Sequence, residues 1–134
     1  MAESKKGLYY LKDKKARVYH PISVKTSSGR TELKYLMPVS PDDMWCYSRQ
    51  LTQDQLFAAH AWLSDEKRLF VFNYYSGIKL YDVVKYKDNW YEVTRVDTTD
   101  DYNGELFVYV KDYKNPSTLE RLTVLEYGSE TPTT

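Results

Sequence analysis

The sequence predicts an all-β domain, a small β-barrel or sandwich of about six to seven strands with one short α-helix inserted. Two observations lead there. Residues Tyr81 to Tyr113 hold three runs of β-branched and aromatic residues, Val83–Tyr86, Trp90–Val96 and Leu106–Val110, separated by Lys87-Asp88-Asn89 and by the stretch Asp100 to Gly104. That is the pattern of a β-meander, and Asn103-Gly104 supplies residues that tolerate positive φ. Further strand-like runs precede it, and one segment alone, after Thr52, carries a helical spacing of apolar residues.

The elements follow in order. Met1 to Lys15 is polar and rich in lysine, and reads as a basic N-terminal arm in which Leu8-Tyr9-Tyr10-Leu11 is a docking patch. Arg17 to Val24 is a first strand with Val18, His20, Ile22 and Val24 on one face, and Pro21 places it at an edge. Ser27-Ser28-Gly29 turns the chain into a second strand, Thr31 to Met37. Pro38, Pro41 and Asp42-Asp43 break the pattern before a short third strand, Met44 to Arg49. Thr52 and Gln55 form a capping box for a helix of about three turns, apolar through Leu56, Phe57, His60, Ala61 and Leu63. Asp65 to Arg68 ends it. Leu69 to Tyr75 is apolar on both faces and must be covered from two sides. Ser76-Gly77 leads into the meander, Asn115-Pro116-Ser117 ends it, and Leu119, Leu122, Val124 and Leu125 make a last strand or an arm. The division expected is therefore an arm over 1–15, a β domain over 16–113 and a C-terminal extension or tail over 114–134, closing in a disordered Gly128 to Thr134.

Composition bounds the function. A chain of 134 residues is sized for one domain that buries roughly 65–70% of its unfolded surface. Nineteen Lys and Arg balance nineteen Asp and Glu, which argues against holding nucleic acid by bulk charge. The single cysteine, Cys46, excludes an intrachain disulfide and a Cys-rich zinc module. No apolar run follows the charges of Met1 to Lys6, and no stretch approaches the ~20 apolar residues of a membrane span. The expectation is assembly in the cytoplasm, away from the membrane. Fourteen tyrosines suit half-buried sheet faces and subunit interfaces.

Motifs for chemistry are sparse. Asp97, Asp100, Asp101 and Glu105 lack the alternation and mid-loop glycine of a calcium loop and read as a solvated turn. His20 and His60 stand on separate elements without ligand-spaced partners, so neither a metal nor a cofactor is expected. Cys46, between Trp45 and Tyr47, reads as a packed strand residue. No glycine elbow surrounds a serine and no glycine-rich loop cradles phosphate, so an enzyme is not expected. Basic residues do interleave with aromatics: Lys12, Lys14, Lys15 and Arg17 beside Tyr9, Tyr10 and Tyr19, and Lys85, Lys87 and Arg95 beside Tyr86, Trp90 and Tyr91. Single-strand binders stack bases on rings in this way while cations track phosphates.

From about Met44 to Tyr113 the chain resembles the head–tail joining (head-closure, or stopper) proteins of tailed bacteriophages. The resemblance rests on an ordered set: Trp45 with Arg49-Gln50-Leu51, the helical Leu56-Phe57-Ala58-Ala59, the strand Leu69 to Tyr75, and Ile78. Asp82-Val83-Val84-Lys85-Tyr86, Tyr91-Glu92-Val93 with Val96-Asp97, and Leu106 to Lys111 complete it. It covers about half the chain, and the Lys-rich start and the segment after Tyr113 depart from it. It implies a barrel assembled as a homo-oligomeric ring, twelve-fold or six-fold, at the portal vertex of the virion neck. Portal or adaptor protein would lie above and tail-terminator or other tail proteins below, with non-specific contact to packaged DNA. A ring would also cover strands apolar on both faces. The contact residues expected are Lys12, Lys14, Lys15, Arg17, Lys87, Asp88, Trp90, Asp101 and Tyr102. The competing readings are an OB-like or SH3-like barrel that binds single-stranded nucleic acid or a peptide, and a tail-terminator ring.

Overall fold

A computed structural model describes residues 11–51, 67–73, 76–98 and 105–130. The fold is mostly β, a closed six-stranded antiparallel barrel. The strands are β1 (Lys14–Lys25), β2 (Thr31–Pro38), β3 (Met44–Gln50), β4 (Arg68–Asn73), β5 (Val83–Tyr86), β6 (Asn89–Thr98), β7 (Glu105–Asp112) and the two-residue β8 (Thr123–Val124). A single turn of helix, α1 (Pro116–Glu120), stands between β7 and β8. The helix expected from Thr52 to Leu63, Asp65-Glu66, Tyr74-Tyr75 and the Asp100 to Gly104 connection lie outside the described residues, as do Leu8-Tyr9-Tyr10 and residues 131–134.

One long strand closes the barrel. Lys14–Ala16 pairs with β3 and Arg17–Tyr19 pairs with β5 on the other side. The circuit is completed by β3–β4, β4–β7, β7–β6 and β6–β5. Tyr19–Lys25 then pairs with β2 in a hairpin that runs on past the barrel. β1 thus begins earlier than expected, and Lys14 and Lys15, assigned to an arm by their charge, are barrel residues. Pro21 faces Leu36 of β2 and has left β5 behind, the edge position its missing N–H requires. The expected Ser27-Ser28-Gly29 turn is present, with Gly29 at φ 87°.

The meander is tighter than its sequence suggested. Tyr86 pairs with Asn89, so the turn is the two residues Lys87-Asp88, at φ 50° and 67°. Positive φ at both central positions is the type I′ signature, whose twist matches the flanking strands. Asn89, expected in the turn, is the first residue of β6. Where β6 meets β7 the register slips between Val93 and Arg95. The extra residue, Thr94, donates its hydroxyl to the carbonyl of Tyr109 at 3.1 Å, a β-bulge stitched to the opposite strand.

Strand alternation sorts the residues into two clusters. Ala16, Val18, Cys46, Phe70, Phe72, Val84, Tyr86, Tyr91, Val93, Leu106, Val108 and Val110 fill the barrel, with Ile78 beside them. Phe70 is the aromatic centre, with ring centroids 5.3 Å from Tyr86 and 5.8 Å from Tyr91. Arg68 lays its guanidinium over both tyrosines at the opposite end of β4 from Asn73. The second cluster lies outside the barrel, where Leu119 of α1 packs with Leu36, Val83 and Trp90.

This packing meets one expectation and corrects another. Leu69 and Val71, which alternate with Phe70 and Phe72, are fully buried in the single chain, so β4 has its two-sided cover without a neighbouring subunit. The segment after Asn115 begins as a helix rather than a strand. Pro116 occupies its first turn, where a missing N–H is harmless. β8 then lies parallel to Tyr35-Leu36 of β2, and the Leu125 N–H reaches the Leu36 carbonyl at 2.9 Å. Gly128, at φ 84°, is part of a turn closed by Ser129 on the carbonyl of Glu126.

Candidate interaction surface

Alternation along β3 decides the surface. Cys46 points into the barrel and is buried, so Trp45 points out, 55% exposed. On one side of it Lys15, its ladder partner, holds its ammonium 4.6 Å from the indole centroid, a cation–π contact on an open face. On the other side is a cleft of about 340 Å³. Val39, just after β2, and Met44, the first residue of β3, form one wall, Phe72 and Asn73 bring the end of β4, and Tyr127 closes it from the C-terminal segment. Ser76 also lines it, and the Ser76 Oγ is buried without a hydrogen-bond partner among the described residues. Pro41, Asp42 and Asp43 keep the connection between Val39 and Met44 out of the strands.

A more polar depression adjoins the cleft, lined by Lys15, Arg17, Asp42, Asp43 and Trp45. Arg17 spans it, with Nη1 3.3 Å from the Asp43 carboxylate and Nη2 donating to the Pro41 carbonyl at 3.1 Å. The two cations and two carboxylates leave this surface close to neutral.

The expected contact residues divide. Lys15 and Arg17 meet at the Trp45 surface. Lys12 pairs with Glu105 at 2.7 Å, both largely enclosed, and Lys14 with its neighbour Asp13 at 3.1 Å. Lys87 and Asp88 are at the exposed tip of the β5–β6 hairpin, where the Lys87 ammonium stands 5.4 Å from the Tyr86 centroid. Asp101 and Tyr102 lie outside the described residues. Trp90 is not a surface residue: it is 7% exposed, its indole N–H donates to Glu120 of α1 at 2.9 Å, and Tyr19 packs on it at 5.7 Å. The expectation failed because the cover comes from α1, in a segment that reads as an arm.

The same burial removes the second set of rings considered for base stacking; of the first set, Tyr19 is half-buried against Trp90, and Tyr9 and Tyr10 lie outside the described residues. Tyr86, Trp90 and Tyr91 are all enclosed. Arg95 stacks on Tyr109 at 3.9 Å and pairs with Asp97, which also accounts for part of the acidic stretch.

Asp82 and His20 take a role that the sequence did not assign to them. Asp82, 4% exposed, accepts the Lys79 N–H at 2.8 Å and lies 2.6 Å from Nδ1 of His20. It anchors a turn whose Leu80 and Tyr81 project into solvent. Aspartate just before a strand was the available signal for that turn; nothing in the sequence pairs it with His20. Burial pushes the Cys46 thiol up to about 12, which makes it a poor nucleophile. Among the described residues no three His, Cys, Asp or Glu side chains converge as a metal site would need.

Comparison with models of known protein families finds no match, and no curated protein matches the chain.

Proposed function

We propose that this chain is a structural subunit of a tailed-phage neck, forming a ring at the portal vertex that closes the head after DNA packaging and offers the tail its docking surface. The observation that carries this reading is the Trp45 cleft: an exposed indole on a rigid barrel strand, flanked by apolar wall and balanced charge. Exposed aromatic surface with a polar rim is what protein partners bury. The resemblance to head–tail joining proteins rests on an ordered set, a Trp-bearing strand, a short helix, a strand, the Asp82-led hairpin and a last strand, of which the helix lies outside the described residues and the others correspond to β3, β4, β5–β6 and β7. In this reading portal or adaptor protein and tail proteins are the partners, the virion neck is the location, and no chemical step is involved. The β1–β2 hairpin, running past the barrel, gives a ring subunit reach toward one of those partners.

The test is electron microscopy of particles assembled without this protein. Tail-less heads that lose their DNA are expected, and intact infectious virions would overturn the proposal. Salt-dependent oligonucleotide affinity checks the competing single-strand reading: tight binding at low salt, lost on Trp45→Ala, would favour it instead.

A further inference from the structure

The turn before β5 holds two apolar side chains in water. Leu80 is 48% exposed and Tyr81 67%, and Tyr81 has φ 72°. A bulky residue keeps a left-handed backbone only where its surroundings over-determine it, and such residues concentrate at functional sites. Here the clamp is complete. The Tyr81 N–H donates to Val93 O at 3.1 Å, the Asp82 N–H to Lys79 O at 3.1 Å, and the Val93 N–H to Asp82 O at 2.9 Å. The buried Asp82 carboxylate holds the Lys79 N–H and His20. The tip is therefore fixed in an exposed conformation and cannot collapse onto its own barrel.

The Trp45 cleft has the complementary character. Its volume, about 340 Å³, is at the small end of binding clefts and accommodates one or two side chains. Trp45 and Tyr127 offer aromatic wall, the Ser76 hydroxyl is buried without a hydrogen-bond partner among the described residues, and Asp42 and Asp43 put carboxylates at the adjoining rim. The tip carries a leucine, a phenol and the exposed ammonium of Lys79. Ser76, in the cleft, and Tyr81 are joined by a short segment in which Gly77 lies against Val39 and Ile78 is buried, so the tip does not reach the cleft of its own chain.

We propose that the Leu80–Tyr81 tip of one copy inserts into the Trp45–Tyr127 cleft of a second copy. The Tyr81 ring enters between the aromatic walls, its hydroxyl meets Ser76 Oγ, and Lys79 faces Asp42. A projection that fits a different patch on an identical chain generates a reciprocal pair, a closed ring where the rotation closes, or an open filament where it does not. The inference deepens the ring-subunit reading and rests on it for the identity of the partner.

Cross-linking between full-length chains tests it, with native Cys46 buried in each. Lys79→Cys protein is mixed with Asn73→Cys protein under mild oxidation, and the rate of disulfide-linked dimer is read on a non-reducing gel. It should exceed the rate for Lys79→Cys with Ser27→Cys, at the remote hairpin turn, by at least about tenfold. Adding Tyr81→Gly to the Lys79→Cys chain should return it to the control rate while leaving the thermal midpoint unchanged or higher, since glycine accepts the positive φ. Equal rates for the two mixtures, or a rate unaffected by Tyr81→Gly, overturn the inference. If the cross-link fails yet particles without the protein are tail-less, the neck reading stands alone. If it forms and such particles are intact, the contact stands and the neck reading falls.

Discussion

Cys46 and Trp45 are adjacent residues with opposite fates, and the period of two along β3 separates them. The inward thiol is surrounded by apolar side chains, and burial raises its pKa from an ordinary 9.0 to about 12. Below the ordinary value the thiol is neutral in folded and unfolded chains alike. From there to the raised value the unfolded chain ionises and the folded chain does not, so the unfolded state gains and stability falls with rising pH. The slope approaches about 1.4 kcal/mol per pH unit. Tyr19 and Tyr113, both raised by burial from 10.0, add losses of the same sign at higher pH. Urea unfolding of the wild type at a series of pH values from about 8.5 to 10 should therefore show declining stability. Cys46→Ala should start lower, through the cavity, and decline less steeply over that interval. Parallel curves would show that the thiol is not buried in the folded chain.

At the scale of elements, α1 shows how little helix a well-placed apolar residue needs. One turn of helix is unstable alone; it persists because Leu119 packs against Leu36, Val83 and Trp90, and Glu120 accepts the indole N–H. Leu119→Ala should cost about 2–5 kcal/mol in chemical denaturation, and the emission of Trp90 should move to longer wavelength as its cover loosens. A loss below about 1 kcal/mol would make α1 a passenger on the sheet. The barrel strands were legible because each carries a local signal: β-branched alternation in β5, β6 and β7, a proline at the edge of β1, a glycine in the β1–β2 turn. α1 was not, because Leu119 and Leu122 are too few to set a period, and the proline before them reads as a breaker with or without a helix behind it. Trp90 was misplaced for the same reason. Its outward direction follows from alternation with Tyr91, but whether an outward residue is exposed depends on a segment far along the chain. The His20–Asp82 pair and the Tyr81 conformation were invisible for a related cause, since both depend on contacts between distant segments.

For the molecule as a whole, the deciding feature is closure by β1. A sheet with two open edges exposes unpaired N–H and C=O groups and invites association through them. Here Lys14–Ala16 on β3 and Arg17–Tyr19 on β5 remove both edges with one strand. The lysines that mark an arm by composition therefore hold the barrel shut, while their long side chains reach outward to Asp13 and across Trp45. A chain beginning at Arg17 loses the β1–β3 ladder, the Ala16 side chain from the core and the Lys12–Glu105 pair. It should lose cooperative unfolding and elute as associated species from size exclusion, because β3 then presents a bare edge beside the exposed Trp45. If the shorter chain instead remained a cooperative monomer, closure by Lys14–Ala16 would be incidental, and the residues before Arg17 would return to the role their charge suggested, a basic arm free to meet a partner.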